Sequence, residues 1–198
     1  MLRPMQTPPI PADEAERLEA LRGFAVLDTP AEAAFDRFTR LAARLFDVPM
    51  ALVTLVDSER QWFKSAVGLG GTHTSRDASF CGHAILGEGV MEVRDAKEDV
   101  RFHDNPLVVG DPLIRFYAGA PLRTADGHSL GALCVIDRKP RELTAAQREL
   151  LAELGQLVME QLEHRRARLL ALRESEQLRG LLAALPAPVT VHQHGNVV

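Results

Sequence analysis

The 198-residue sequence is poor in the features that would place it in several broad classes. It has only two cysteines, Cys81 and Cys134, too few for a disulfide scaffold, so a reducing, cytoplasmic compartment is expected. Apolar stretches such as Ala118–Leu122 fall far short of the roughly 20 residues that cross a bilayer. The opening Met1-Leu2-Arg3-Pro4 leads into prolines and acids rather than an apolar signal core, so no membrane is expected. Basic residues are not in excess: 23 Lys plus Arg against 27 Asp plus Glu give a net charge of −4. That balance argues against nucleic acid as a partner, because phosphate binding needs a concentrated basic surface.

Catalytic motifs are also missing. There is no G-x-x-x-x-G-K-[ST], no G-x-S-x-G and no paired carboxylates in a catalytic arrangement. Gly68-Leu69-Gly70-Gly71 is a loop hinge, because no helix with a basic residue follows it in register. His73, His103 and Asp104 lack metal-ligand spacing, so no metal site is expected. The chain as given reads as a non-enzyme.

What is present is an alternation of elements. Pro4, Pro8, Pro9 and Pro11 make residues 1–12 an extended, mobile lead. Asp13 is placed to cap a helix ending near Gly23. Thr29-Pro30 signals a second helix start, with an apolar stripe at Phe35, Phe38, Leu41, Ala42 and Leu45. Val48-Pro49 ends it. Met50–Val56 and Gln61–Val67 read as a hairpin, Phe80–Leu86 as a short helix capped by Ser79, and Val90–Val93 as a strand. Arg94–Pro112 is a long aperiodic loop of the kind that covers binding sites. Ile114–Leu122 and His128–Ile136 form a second hairpin around Asp126-Gly127. A long helix begins at Thr144. Its stripe narrows to Val158, Leu162, Leu169 and Leu172, a near-heptad spacing broken by Arg165 that suits a two-stranded coiled coil. Leu178, Leu181, Leu182 and Leu185 read as a further small helix. Beyond Pro186-Ala187-Pro188, Val189-Thr190-Val191 is strand-like and Gly195-Asn196 a turn, as if a longer protein continued. Strands in hairpins rather than strand–helix–strand units indicate an α+β fold.

A set of blocks in fixed order carries a family resemblance. They include Leu27-Asp28-Thr29-Pro30, Gln61-Trp62-Phe63-Lys64, Ser79-Phe80-Cys81-Gly82-His83-Ala84-Ile85, Ile114–Leu122 and Gly131–Asp137. Together they resemble the GAF domains at the start of bacterial sensor histidine kinases and diguanylate cyclases. The tail is similar to the start of a PAS domain. The resemblance implies a central antiparallel sheet of five or six strands with helices on one face and a long C-terminal helix. The other face would hold a small-molecule pocket under loops and short helices. It divides the chain into a lead (1–12), a GAF sensor (13–160), a signalling helix (161–177) and a truncated PAS start (178–198).

The function implied is a sensory module that binds an unidentified small molecule, dimerises, and signals through its last helix to a PAS domain and a kinase or cyclase output. No kinase glycine box or GG[DE]EF run is present. A ligand-free dimerisation module and a cysteine-based redox protein are the alternatives. Some relatives attach a bilin through a cysteine directly followed by histidine; here Gly82 intervenes, so a bilin is not expected and the cofactor is unassigned.

The candidate pocket residues are Trp62, Phe63, Cys81, His83, Asp95, Arg115 and Tyr117. Arg115 and Tyr117 share one strand face and are expected on the pocket side, since a charge on the helix-packed side would need a partner. Arg115 could equally pair with Asp95 or Asp104 and tie the long loop to the sheet. Cys81 and His83 point about 200° apart on a helix and cannot act as one pair. Cys134 sits mid-strand as a core residue. Val158, Leu162, Leu169 and Leu172 are the candidate dimer seam.

Overall fold

In the computed structural model, which describes residues 5–184, one antiparallel sheet of six strands organises the chain. The strands are β1 (Met50–Val56), β2 (Arg60–Val67), β3 (His73–Ser75), β4 (Met91–Val93), β5 (Phe116–Arg123) and β6 (Ser129–Asp137). They lie in the order β3-β2-β1-β6-β5-β4. The two long hairpins therefore meet through β1 and β6, where Val53 stands opposite Leu133. Gly127 takes a φ of +93° in the β5–β6 turn, a conformation that glycine adopts without steric cost.

The sheet is buried on both faces, so β1 reads as an unbroken apolar run rather than an alternation. The period-two pleat nevertheless divides its residues. Ala51, Val53 and Leu55 join Phe116, Ala118, Leu133 and Val135 in a core beneath three helices. These are α1 (Glu14–Gly23), α2 (Ala33–Leu45) and α5 (Ala145–Ala184). Met50, Leu52 and Val56 join Tyr117, Cys134 and Ile136 in a second core on the opposite face. Two short helices, α3 (Phe80–Ala84) and α4 (Pro106–Val109), cover that face.

Several local readings change. Asp13 makes no capping hydrogen bond; its carboxylate instead meets His128 Nδ1 at 2.8 Å. Helix α2 starts at Ala33 rather than at Pro30, and Thr29 Oγ1 donates to the Val26 carbonyl (2.6 Å). Its buried face is Phe35, Thr39, Ala42 and Phe46, which leaves Leu41 and Leu45 exposed. Ser79 caps α3 as expected, accepting from the Gly82 N–H at 2.8 Å.

Helix α5 opens with a reciprocal cap. Gln147 N–H donates to Thr144 Oγ1 (3.1 Å), and Thr144 N–H to Gln147 Oε1 (2.9 Å). Leu151, Leu154, Val158 and Leu162 then pack into the core under the sheet. Val158 and Leu162 are thus the domain's own interior and do not stand free for a partner helix. Heptad spacing and core-facing spacing coincide over two turns, so the pattern alone does not separate them. Past Arg165 the helix leaves the domain and continues without interruption to Ala184, so residues 178–184 do not begin a separate helix. Leu169 is half-buried and Leu172 is exposed. The expectations placed on residues 185–198, including the strand and turn of a PAS start, lie outside the described residues.

Candidate functional site

The sheet face beneath α3 brings together Phe63, Cys81 and Tyr117. Phe63 comes from β2, Tyr117 from β5 and Cys81 from α3, and all three belong to the second core. The Tyr117 hydroxyl donates to Cys81 Sγ at 3.2 Å. Cys134 Sγ on β6 lies 3.9 Å from Cys81 Sγ. Burial pushes the Tyr117 hydroxyl well above its ordinary range, so at neutral pH it keeps its proton and can donate. Phe80 stacks on Phe102 (centroids 4.0 Å apart) and tilts against Tyr117 at 5.2 Å. The space the sequence reading reserves for a ligand is therefore occupied by the protein's own rings and thiols.

His83 sits on the other side of α3, half a turn from Cys81. Its Nε2–H donates to the Gln6 carbonyl (3.0 Å), and its ring meets Phe102 edge-on at 4.9 Å. Burial lowers its pKa, which favours the neutral ring. Residues 5–11 are thus not a free lead but lie across α3: Gln6 N–H donates to the Arg101 carbonyl (3.1 Å), and Pro8 is buried.

Arg115 stands just before β5, where its guanidinium grips the Asp95 carboxylate through Nε (2.6 Å to Oδ1) and Nη2. The pair holds Asp95 below the usual carboxylate range. The Ala96 N–H also donates to the Arg115 carbonyl (2.6 Å), so the long loop is fixed to the sheet at this point. Arg115 and Asp95 tie the structure together at the sheet margin and do not meet Phe63, Cys81 and Tyr117.

Trp62 is on the opposite face from the expected pocket. The pleat puts it with Lys64 beneath α2, in the helix-side core. Lys64 is fully buried there because three acceptors meet its ammonium: Glu32 Oε1 (2.6 Å), Thr29 Oγ1 (2.9 Å) and the Pro30 carbonyl (2.9 Å). Its charge also lies 5.3 Å from the Phe35 ring centroid and 5.9 Å from that of Trp62. Glu32 in turn accepts from Arg165 Nε of α5 (2.8 Å), and Arg165 Nη1 donates to the carbonyls of Phe24 and Ala25, each at 3.0 Å. This chain of contacts links β2 to the point where α5 leaves the domain. An open cleft of about 370 Å³ lies beside it, lined by Asp28, Thr29, Trp62 and Lys64.

Sequence reasoning missed Glu32, Lys64 and Arg165 as a unit. The available signal was the basic residue interrupting the α5 stripe, since a charge in an apolar stripe implies a partner. It also missed Glu14, which accepts from two buried arginines, Arg17 (2.7 Å) and Arg76 (2.5 Å). Among the described residues, no three His, Cys, Asp or Glu are arranged to hold a metal ion, and no helix is long and apolar enough to cross a membrane.

Comparison with known proteins agrees with this geometry. A cyclic di-GMP phosphodiesterase of Pseudomonas aeruginosa is 47% identical over 156 residues, covering 78% of this chain. The chain spans only 27% of that protein's length. Two solved structures share the fold at low identity, both GAF domains of phosphoenolpyruvate-protein phosphotransferases. That from Coxiella burnetii has a TM-score of 0.59 at 15% identity, over 78% of this chain and 96% of its own. That from Acinetobacter has a TM-score of 0.56 at 18% identity, over 77% and 96%. The family model for the GAF domain matches residues 30–162. With two thirds of its length matched and the sheet order described above, the chain belongs to the GAF-domain family.

Proposed function

We propose that this domain senses a small molecule on the α3 side of the sheet and passes the change through α5 to an output domain of the same polypeptide. The observation that carries this reading is the double role of α5. Its first half is core, through Leu151, Leu154, Val158 and Leu162, and its second half is an uninterrupted extension to Ala184. A change in how the sheet packs must therefore move a lever that leaves the domain. Because the α3-side core is filled, a ligand would act by selecting an opened state, and it could shift the output only by its difference in affinity between the two states. The output is of a kind that makes or removes a signalling nucleotide, or a histidine kinase. The name of the Pseudomonas relative favours cyclic di-GMP turnover.

The free half of α5 supports a paired arrangement. Leu170, Leu172, Leu178, Leu181 and Leu182 are 47–63% exposed on the stretch of α5 that projects from the domain. A second copy would cover them. Sedimentation equilibrium tests the pairing: a dimer is expected for the full chain and a monomer for the Leu172→Arg, Leu181→Arg double variant. A wild-type monomer at tens of micromolar would contradict it.

A thermal-shift panel of cyclic mononucleotides, cyclic di-GMP, haem and biliverdin tests sensing. A saturating ligand that stabilises the fold by about 3 kcal/mol raises the midpoint several degrees. An unshifted midpoint throughout the panel, with the dimer intact, would favour the ligand-free dimerisation module.

A further inference from the structure

Gly82 has a use that its place between Cys81 and His83 does not suggest. A Cβ built on it would lie 2.6 Å from Pro8 Cγ and 3.0 Å from Pro8 Cβ, closer than side chains pack. The missing side chain is therefore a notch that takes a proline ring. Two residues earlier, Gln6 is held by its main chain at both ends. Its N–H goes to the Arg101 carbonyl (3.1 Å) and its carbonyl receives His83 Nε2 (3.0 Å). The main chain of one residue and the ring two positions on are thus held together. Pro8 suits the task because its φ is already fixed, so little freedom is lost on docking.

Beneath this contact lie α3 and then Cys81, Tyr117 and Cys134, all fully buried. Beside it, Ile10, Pro11, Ile85 and Leu86 wall an open cleft of about 370 Å³ between the N-terminal segment and the end of α3. The segment therefore closes the α3 side and has open space next to it.

We infer that residues 5–9 are a built-in lid, seated by Pro8 in the Gly82 notch and by Gln6 on His83 and Arg101, and that its release opens the Cys81–Tyr117 interior to small molecules. The lid belongs to no regular element, so its release need not unfold the sheet. This deepens the sensory reading and rests on it only for what enters; access itself is measurable without any metabolite.

Alkylation of Cys81 and Cys134 by iodoacetamide in the native full chain, resolved by mass spectrometry, is the test. When opening is fast, labelling follows the population of the open form. Gly82→Ala fills the notch while favouring the helix locally. Pro8→Ala removes the ring without touching α3. Both variants are expected to label about tenfold faster or more than the wild type, at a rate that changes little with low urea, because opening a short segment exposes little surface. Labelling at the wild-type rate in both variants would overturn the lid. So would labelling that speeds up with urea as steeply as global unfolding does, because the route would then be global unfolding. Either result would leave the sensing test by thermal shift unaffected.

Discussion

Removing the Glu32 carboxylate, as in Glu32→Ala, leaves two cations short of a counter-ion. The Lys64 side chain is 0% exposed and that of Arg165 12%, while Glu32 itself is 35% exposed. Breaking a fully buried pair by deleting one partner costs about 3–5 kcal/mol. Here Lys64 keeps Thr29 Oγ1 and the Pro30 carbonyl, and Arg165 keeps two backbone carbonyls, so neither charge is left without acceptors. The open side of Glu32 also lowers the value of the pair, which sets the expected loss at about 2–3 kcal/mol. In a domain of this size that is a fall in Tm of roughly 5–10 °C.

The pH dependence has a definite sign. Burial works against ionising Glu32, but the hydrogen bonds and charges of Lys64 and Arg165 outweigh it and lower the folded-state pKa below the usual 4.5. The stabilisation is complete above the unfolded value and disappears as pH falls through the lowered folded one. Urea denaturation between pH 7 and pH 3 is the assay, with Glu32→Gln separating charge from packing and Arg165→Ala closing a double-mutant cycle. A loss under about 0.5 kcal/mol, or a difference that does not shrink in acid, would refute the view that this node fastens α5 to the sheet.

Two further outcomes are expected. Burial opposes ionisation of Glu14, yet Arg17 and Arg76 hold its carboxyl down at about 2. Glu14→Gln should cost about 3 kcal/mol and should flatten the wild type's loss of stability between pH 4.5 and 2. Equal acid sensitivity of the two proteins in urea would remove Glu14 from that account. Gly131 on β6 faces the β1 backbone so closely that a Cβ would collide with the Thr54 carbonyl and lie 2.8 Å from Leu55 Cα. Gly131→Ala should cost more than about 3 kcal/mol, and a urea midpoint near that of the wild type would show that β1 and β6 can separate there.

Features fixed by local chemistry were legible in the sequence. The Ser79 cap, the glycine in the β5–β6 turn and the pleat separating Tyr117 from Phe116 each depend on a few adjacent residues. Features that depend on distant partners were not. Lys64 looks too polar for a helix-packed face until Glu32 and Arg165 arrive, the latter 133 positions beyond its partner. Trp62 shares that face, so the indole moves away from the expected pocket with it. Val158 and Leu162 satisfy two patterns at once, and only the presence of the sheet decides between core and seam. The proline-rich start resists helix and sheet, as expected, but its docking depends on a notch at Gly82 that appears only once α3 has formed.

The central claim is that packing on the α3 side is felt at the base of α5. Phe102→Ala tests it most directly, because the ring stacks on Phe80 far from α5 and its loss leaves a cavity only in the second core. Amide hydrogen exchange of residues 158–170 is the measurement, with β6 as the internal control for global opening. Exchange in 158–170 should quicken beyond the change seen in β6. Exchange altered around α3 alone, with 158–170 moving only as β6 does, would contradict the coupling.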